Sequence, residues 1–275
     1  MLFFLHIPKT AGSTLNYIIK NNFSDRAQEI RWHWTTWIAK GELQQKLKHL
    51  DVNSKQLVHG HFVFGVHELS SSLEVKYLTF VRDPLKKAIS GYHHVSRDAK
   101  AMYHSDYKAG RLEDYLLDNR VLENDNGLVR RISGVGDEIP FGKIQEQHYD
   151  KAIENINKWF IAVGITEQFD LSIELFKSLG VFQKVYYWRQ NTTKNKVAGK
   201  GDLSDAALKK FREANGFDYA LYNYCLDKFN QSTANISFSQ SGFDFRNKVY
   251  NMFLLVIFTF IPINLNVKTC CIRIK

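Results

Sequence analysis

Leu2-Phe3-Phe4-Leu5-His6-Ile7-Pro8-Lys9-Thr10-Ala11-Gly12-Ser13-Thr14 decides how this chain is read. Leu2 to Ile7 has the apolar run of a buried strand, and Ser13 to Asn21 has the spacing of a helix. Between them lies a turn of small and hydroxylated residues. Successive backbone N–H groups in such a turn, together with a helix N-terminus, form a concave donor site for an anionic oxygen group. Lys9 adds a full positive charge. The common ATP-binding loop has its Lys directly before Ser/Thr, with its first Gly six residues ahead of that Lys. Here Lys9 stands four residues before Ser13 and the first Gly is absent. The segment has the physics of a phosphate loop without that spelling, and on spelling alone a plain strand-to-helix turn with a surface Lys stays open.

The same alternation continues outward. Gln56 to His61, Lys76 to Val81, Trp159 to Ile165 and Val185 to Trp188 read as strands. Pro84 to Ser96 reads as a helix with Pro at its first position, and a further helix follows Ile165 as far as Leu179. Leu203 to Arg212 has the leading Ser and apolar spacing of a capped amphipathic helix. Strands separated by helices imply parallel pairing, hence an α/β three-layer domain with a central parallel sheet flanked by helices. Its ligands belong at the carboxyl ends of the strands. No internal repeat or low-complexity linker divides the chain. One main domain is expected over residues 1–230, followed by a tail over 231–275.

Two further loops sit at such strand ends. Phe80-Val81-Arg82-Asp83-Pro84-Leu85-Lys86-Lys87-Ala88-Ile89-Ser90-Gly91-Tyr92 leaves a strand and opens a helix. Arg82 can grip a phosphate bidentately, as Lys cannot. Ser90, about two turns along the helix, can donate a hydroxyl to the same group, and Asp83 is placed to cap the helix. His59-Gly60-His61 ends another strand, with both imidazoles on one face by the two-residue period. A histidine near its ordinary pKa of ~6.5 can take a proton at neutral pH. The His-x-His pair also invites a metal, but only His67 or Glu68 offers a third ligand nearby, so no metal is expected.

His6 to Thr14 resembles the 5′-phosphosulfate loop of sulfotransferases that use 3′-phosphoadenosine 5′-phosphosulfate (PAPS). The likeness is to the carbohydrate 2-O/6-O group (heparan sulfate-type) and its bacterial relatives. Arg82 followed by Ser90 resembles the family's 3′-phosphate motif. The resemblance implies a P-loop-like fold, with PAPS held by Lys9, Thr10, Ala11, Gly12, Ser13, Thr14, Arg82 and Ser90. His59-Gly60-His61 stands where the glycan 2-O-sulfotransferases carry their catalytic base, implying His61 as base and His59 as assistant or substrate contact. Asn124 to Gly134 and Trp159 to Asp170 resemble the family's later helix and strand. Arg189 to Lys196 occupies the place of the loop that folds over the nucleotide. Thr192, Thr193 and Lys196 are the expected contacts there, with Asn191 and Lys194 as substitutes. The implied reaction is sulfuryl transfer to a hydroxyl acceptor, a glycan by the same likeness, with Lys9 stabilising developing charge and no metal required.

The composition agrees with an anionic ligand. Lys plus Arg number 37 against 28 Asp plus Glu, a net charge of +9. No Arg/aromatic nucleic-acid signature accompanies it, so no nucleic-acid partner is expected. A nucleotide kinase would need Mg²⁺ ligands and a Walker Lys-Ser/Thr, and neither is spelled here. A non-catalytic nucleotide or glycan binder, attached to a membrane by its tail, is the remaining competitor. Cys225, Cys270 and Cys271 read as free thiols. No basic and apolar leader precedes the first strand, so a cytoplasmic location is expected. Val249 to Val267 carries no formal charge over 19 residues, flanked by Arg246, Lys248 and Lys268. Its length reaches the membrane-spanning window, while Asn251, Pro262, Asn264 and Asn266 erode it. A spanning helix, an interfacial anchor and a segment packed on the body or on another subunit all stay open. The sequence sets no oligomeric state.

Overall fold

A computed structural model describes residues 1–24, 27–30, 57–65, 67, 75–187 and 198–260, with 28–30 and 254–260 as backbone. Five parallel strands form one sheet: β1 (Leu2–Leu5), β2 (Ala27–Ile30), β3 (Leu57–Gly60), β4 (Lys76–Val81) and β5 (Phe160–Ile165). Their spatial order is β2-β3-β1-β4-β5. The helices are α1 (Gly12–Phe23), α2 (Pro84–Val95), α3 (His104–Tyr107), α4 (Leu112–Leu117), α5 (Gly127–Ser133), α6 (Glu146–Trp159), α7 (Phe169–Ser178), α8 (Asp205–Ala214), α9 (Gly216–Thr233) and α10 (Gln240–Phe260). β1 is central, bonded to β3 on one side and β4 on the other. The chain therefore crosses β1 between β3 and β4, which opens the crevice at its carboxyl end.

Side chains of β1, β3 and β4 are buried on both faces, as a covered parallel sheet requires. Phe3 stacks on Tyr77, Phe80 packs on Phe169 and Phe176, and Phe64 bridges to Phe160. The expected helix starts hold. Asp83 Oδ1 accepts the Lys86 N–H at 2.8 Å, and Ser204 Oγ accepts the Ala207 N–H at 3.1 Å. α5 is capped from afar: the carboxylate of Asp218 on α9 accepts the N–H groups of Leu128 and Val129 at 3.0 and 2.9 Å. Burial pushes that carboxyl up to about 6 even so.

Two differences from the sequence reading matter. β2 was not anticipated. Val185 to Tyr187 forms no strand, because its backbone partners are side chains: the Tyr187 N–H donates to Asn247 Oδ1 at 2.7 Å, and Asn251 Nδ2 donates to the Tyr187 carbonyl at 3.0 Å. Both Asn residues lie on α10, one turn apart, and Phe243 a turn earlier joins the main core. The start of the apolar tail is thus a helix lying on the body. No helix among the described residues is long and apolar enough to cross a membrane.

Candidate active site

The site gathers at the carboxyl ends of β1, β3 and β4. Leu5 pairs with Gly60 across the β1–β3 ladder, and the His6 N–H donates to the Gly60 carbonyl at 2.9 Å, so His6 and His61 are the next pair along. Their rings stack with centroids 4.2 Å apart. His61 Nδ1 lies 2.8 Å from the His6 carbonyl oxygen. A carbonyl can only accept, so Nδ1 carries the proton and Nε2 keeps the basic lone pair. His59, buried in β3, is placed beside Phe4 by the register.

His6 and His61 are weaker bases than an ordinary imidazole. Burial pulls His61 down to about 4; Arg131 and Lys9 add to that, and the His6 carbonyl and Glu123 oppose it. Burial also holds His6 well below the usual imidazole range, with His61 and His59 next in effect. The expectation of a histidine near its ordinary pKa is corrected accordingly: removal from water outweighs the stabilising carbonyl. At neutral pH these imidazoles are uncharged.

The loop after β1 keeps its shape by unusual backbone choices. Lys9 (φ 68°) and Ala11 (φ 64°) both adopt the left-handed region, at a cost of order 1–3 kcal/mol each. Thr10 between them is buried and donates its hydroxyl to the Ile7 carbonyl at 2.7 Å. Gly12 begins α1 against the His6 ring: a Cβ there would stand 1.8 Å from His6 Cε1. No side chain fits without moving the imidazole. Ser13 is exposed and Thr14 buried in the first turn of α1, whose N–H groups have no helical carbonyl to reach. Alternating left-handed residues before a helix start give the concave donor array expected of an anion cradle.

Arg82, at the end of β4, ties the second loop to the first. Its Nη1 donates to the Lys9 carbonyl at 2.9 Å, and its Nε lies 3.9 Å from Glu167 Oε1. That Nε is buried with no hydrogen-bond partner among the described residues. Lys9 is pulled down to about 8, by burial first and by Arg82 second. The Lys9 charge also depresses His6, His61 and His94. Ser90 is half-buried on α2, one turn before His94 and so on the same helix face.

Behind these groups lies a buried ionic cluster. Glu123 receives Lys87 of α2 at 2.7 Å, and Arg131 of α5 through Nε at 2.9 Å and Nη2 at 2.5 Å. Burial alone would raise Glu123, but Arg131 and Lys87 together hold it down to about 2. Sequence reading missed Arg131 and Glu123, whose charges act on His61, and Lys87, which pairs with Glu123, for no local spelling brings them together. Thr192, Thr193 and Lys196 lie outside the described residues. No group of three His, Cys, Asp or Glu among the described residues is placed to hold a metal ion.

A cavity of about 630 Å³ opens from the loop. Ala11 and Thr14 form one end, and Thr166, Phe169, Tyr187 and Gln240 line the rest. Gln240 Nε2 donates to Asp170 at 2.6 Å, so α10 helps to wall it.

Residues 1–225 match the Sulfotransferase family. A solved structure, mouse sulfotransferase SULT7A1 complexed with PAP, is similar at 12% identity and a TM-score of 0.45, covering 93% of this chain and 88% of that one. No curated protein sequence matches. With 225 of its 275 residues matched, from β1 onward, the chain belongs to the sulfotransferase family.

Proposed function

We propose that this sulfotransferase moves the sulfuryl group of PAPS to a carbohydrate hydroxyl, with His61 as general base. The observation that carries the reading is the contact of His61 Nδ1 with the His6 carbonyl. It fixes the tautomer and aims Nε2, the proton-accepting atom, away from the strand. His61 takes the hydroxyl proton on Nε2 as the acceptor oxygen forms its bond to sulfur and the bond from sulfur to the bridging oxygen breaks. Lys9 and the loop N–H groups stabilise the charge left on the departing phosphate, and such preorganised charge stabilisation dominates catalysis in sites of this kind.

The residues fit a donor with two anionic ends. Lys9 and the first turn of α1 suit the phosphosulfate, Arg82 with its unused Nε and Ser90 suit the 3′-phosphate, and the adjoining cavity suits the nucleoside. The donor supplies the activated sulfuryl group; the chain supplies charge, orientation and a base. His59-Gly60-His61 and the net charge of +9 support an acidic glycan as acceptor.

Radiolabelled sulfuryl transfer from PAPS to a panel of glycans, phenols, steroids and tyrosyl peptides tests the reading. Label on a glycan is expected, without added metal. Label on phenols alone would overturn the acceptor class. Stabilisation by ATP only with Mg²⁺, and none by adenosine 3′,5′-bisphosphate, would overturn the donor.

A further inference from the structure

α10 has two faces of opposite use. Phe243, Asn247 and Asn251, four residues apart in sequence, turn inward to the core and to Tyr187. Phe245, Val249, Met252 and Phe253 turn outward, exposed by 69, 49, 57 and 64%. At about 100° per residue these four span one side of the helix, opposite the docked face. Arg246 and Lys248, both exposed, fall on either flank of that apolar side. The helix backbone runs on to Phe260.

We propose that this face is an interfacial membrane anchor for anionic lipid surfaces. Four observations select that occupant. Large apolar side chains stand in water along about two and a half turns, which a soluble surface seldom keeps. The cationic side chains flank the stripe where snorkelling to headgroups places them. After Asp244 the remaining 31 residues hold five basic residues and no acidic one, so the whole end of the chain favours negative charge. A second copy of this helix would bring the same uncompensated cations face to face. Among the described residues no helix is long and apolar enough to cross a bilayer, and this one commits its amide-bearing face to the backbone of Tyr187. It lies along the surface, apolar side down, with the donor cavity on its other side, since Gln240 of the same helix lines that cavity. The anchor stands independently of the reaction proposed above.

The test is co-sedimentation of the full chain with phosphatidylcholine vesicles, with and without phosphatidylserine. Binding is expected to the phosphatidylserine vesicles and to weaken with salt. Arg246→Gln with Lys248→Gln should weaken it about 25-fold, about fivefold for each charge. Phe245→Asp with Met252→Asp should abolish it while leaving the melting temperature and turnover of a soluble acceptor unchanged. Both pairs alter exposed side chains, and the charge pair serves if the apolar pair misfolds. Failure to sediment with either vesicle overturns the proposal. So does a dimeric mass in solution that Phe245→Asp returns to monomer, which would make the face an interface between copies.

Discussion

His6 and His61 stand side by side at the ends of neighbouring parallel strands, rings stacked at 4.2 Å, with His61 Nδ1 on the His6 carbonyl. The backbone of one histidine thus sets the tautomer of the other, while burial keeps both neutral. A neutral imidazole with a low pKa is always ready to accept a proton, at some expense in basicity.

The pH dependence of kcat/KM follows from this. His61 is unprotonated above about 4, so the acid limb should lie well below pH 6.5. Lys9 loses its charge above about 8, so donor capture should fail on that side. A bell spanning these two values is expected for the free enzyme, and an acid limb near 6.5 would assign the base to an exposed histidine. His61→Ala should lower kcat by about 10²–10⁴ while leaving adenosine 3′,5′-bisphosphate binding intact by calorimetry.

Arg82 joins the two loops through the Lys9 carbonyl. Arg82→Ala should weaken adenosine 3′,5′-bisphosphate by about 1.5–3 kcal/mol, and 5′-AMP by much less. Arg82→Lys should rescue little, because a point charge cannot hold the carbonyl and a phosphate in one plane. Equal losses for the two nucleotides would remove Arg82 from the 3′-phosphate.

The Glu123 cluster predicts how stability depends on acid. Its carboxylate contributes stability in full above its ordinary pKa of ~4.3 and loses that contribution as pH falls towards about 2. His61 acts earlier: between its ordinary ~6.5 and about 4 the unfolded chain binds a proton that the folded one refuses, costing of order 3 kcal/mol. Urea titrations should show stability falling first below pH ~6.5, then again below ~4.3. Glu123→Gln leaves Lys87 and Arg131 buried without their counter-charge, and about 3–5 kcal/mol should be lost at neutral pH.

Asn247 and Asn251 hold Tyr187 by its backbone. Replacing either by Leu leaves a peptide group of Tyr187 without its partner, a loss of about 1–3 kcal/mol. Hydrogen exchange should report it, with faster exchange at the Tyr187 amide in Asn247→Leu. Unchanged exchange there would show that α10 is not what orders this segment.

Much of this architecture could be read directly. Leu2 to Leu5 and Lys76 to Val81 are apolar runs broken by turn chemistry, and Asp83-Pro84 and Ser204 announce their helices. Ala27 to Ile30 escaped notice because Gln28 and Glu29 interrupt the run, and the strand is defined by pairing with Leu57 to Gly60 rather than by its own residues. Val185 to Tyr187 misled for the opposite reason: the apolar pattern is real, but distant amides took the backbone groups a sheet would have used. In the site, Lys9, His61 and Arg82 were legible because strand–loop–helix junctions carry them. His94, Arg131 and Glu123 were not, since only tertiary folding brings them near, and the low basicity of His61 exists only after burial.

The contact between Gly12 and the His6 ring has a consequence for how such sequences vary. One volume is shared by two positions six residues apart, so the positions are not free to drift separately. A side chain at 12 becomes admissible only once the residue at 6 has shrunk or turned away, and that change also dismantles the stack on His61. Positions 6, 12 and 61 are therefore sterically one unit, and a glycine that looks like ordinary loop filler answers to what stands behind it.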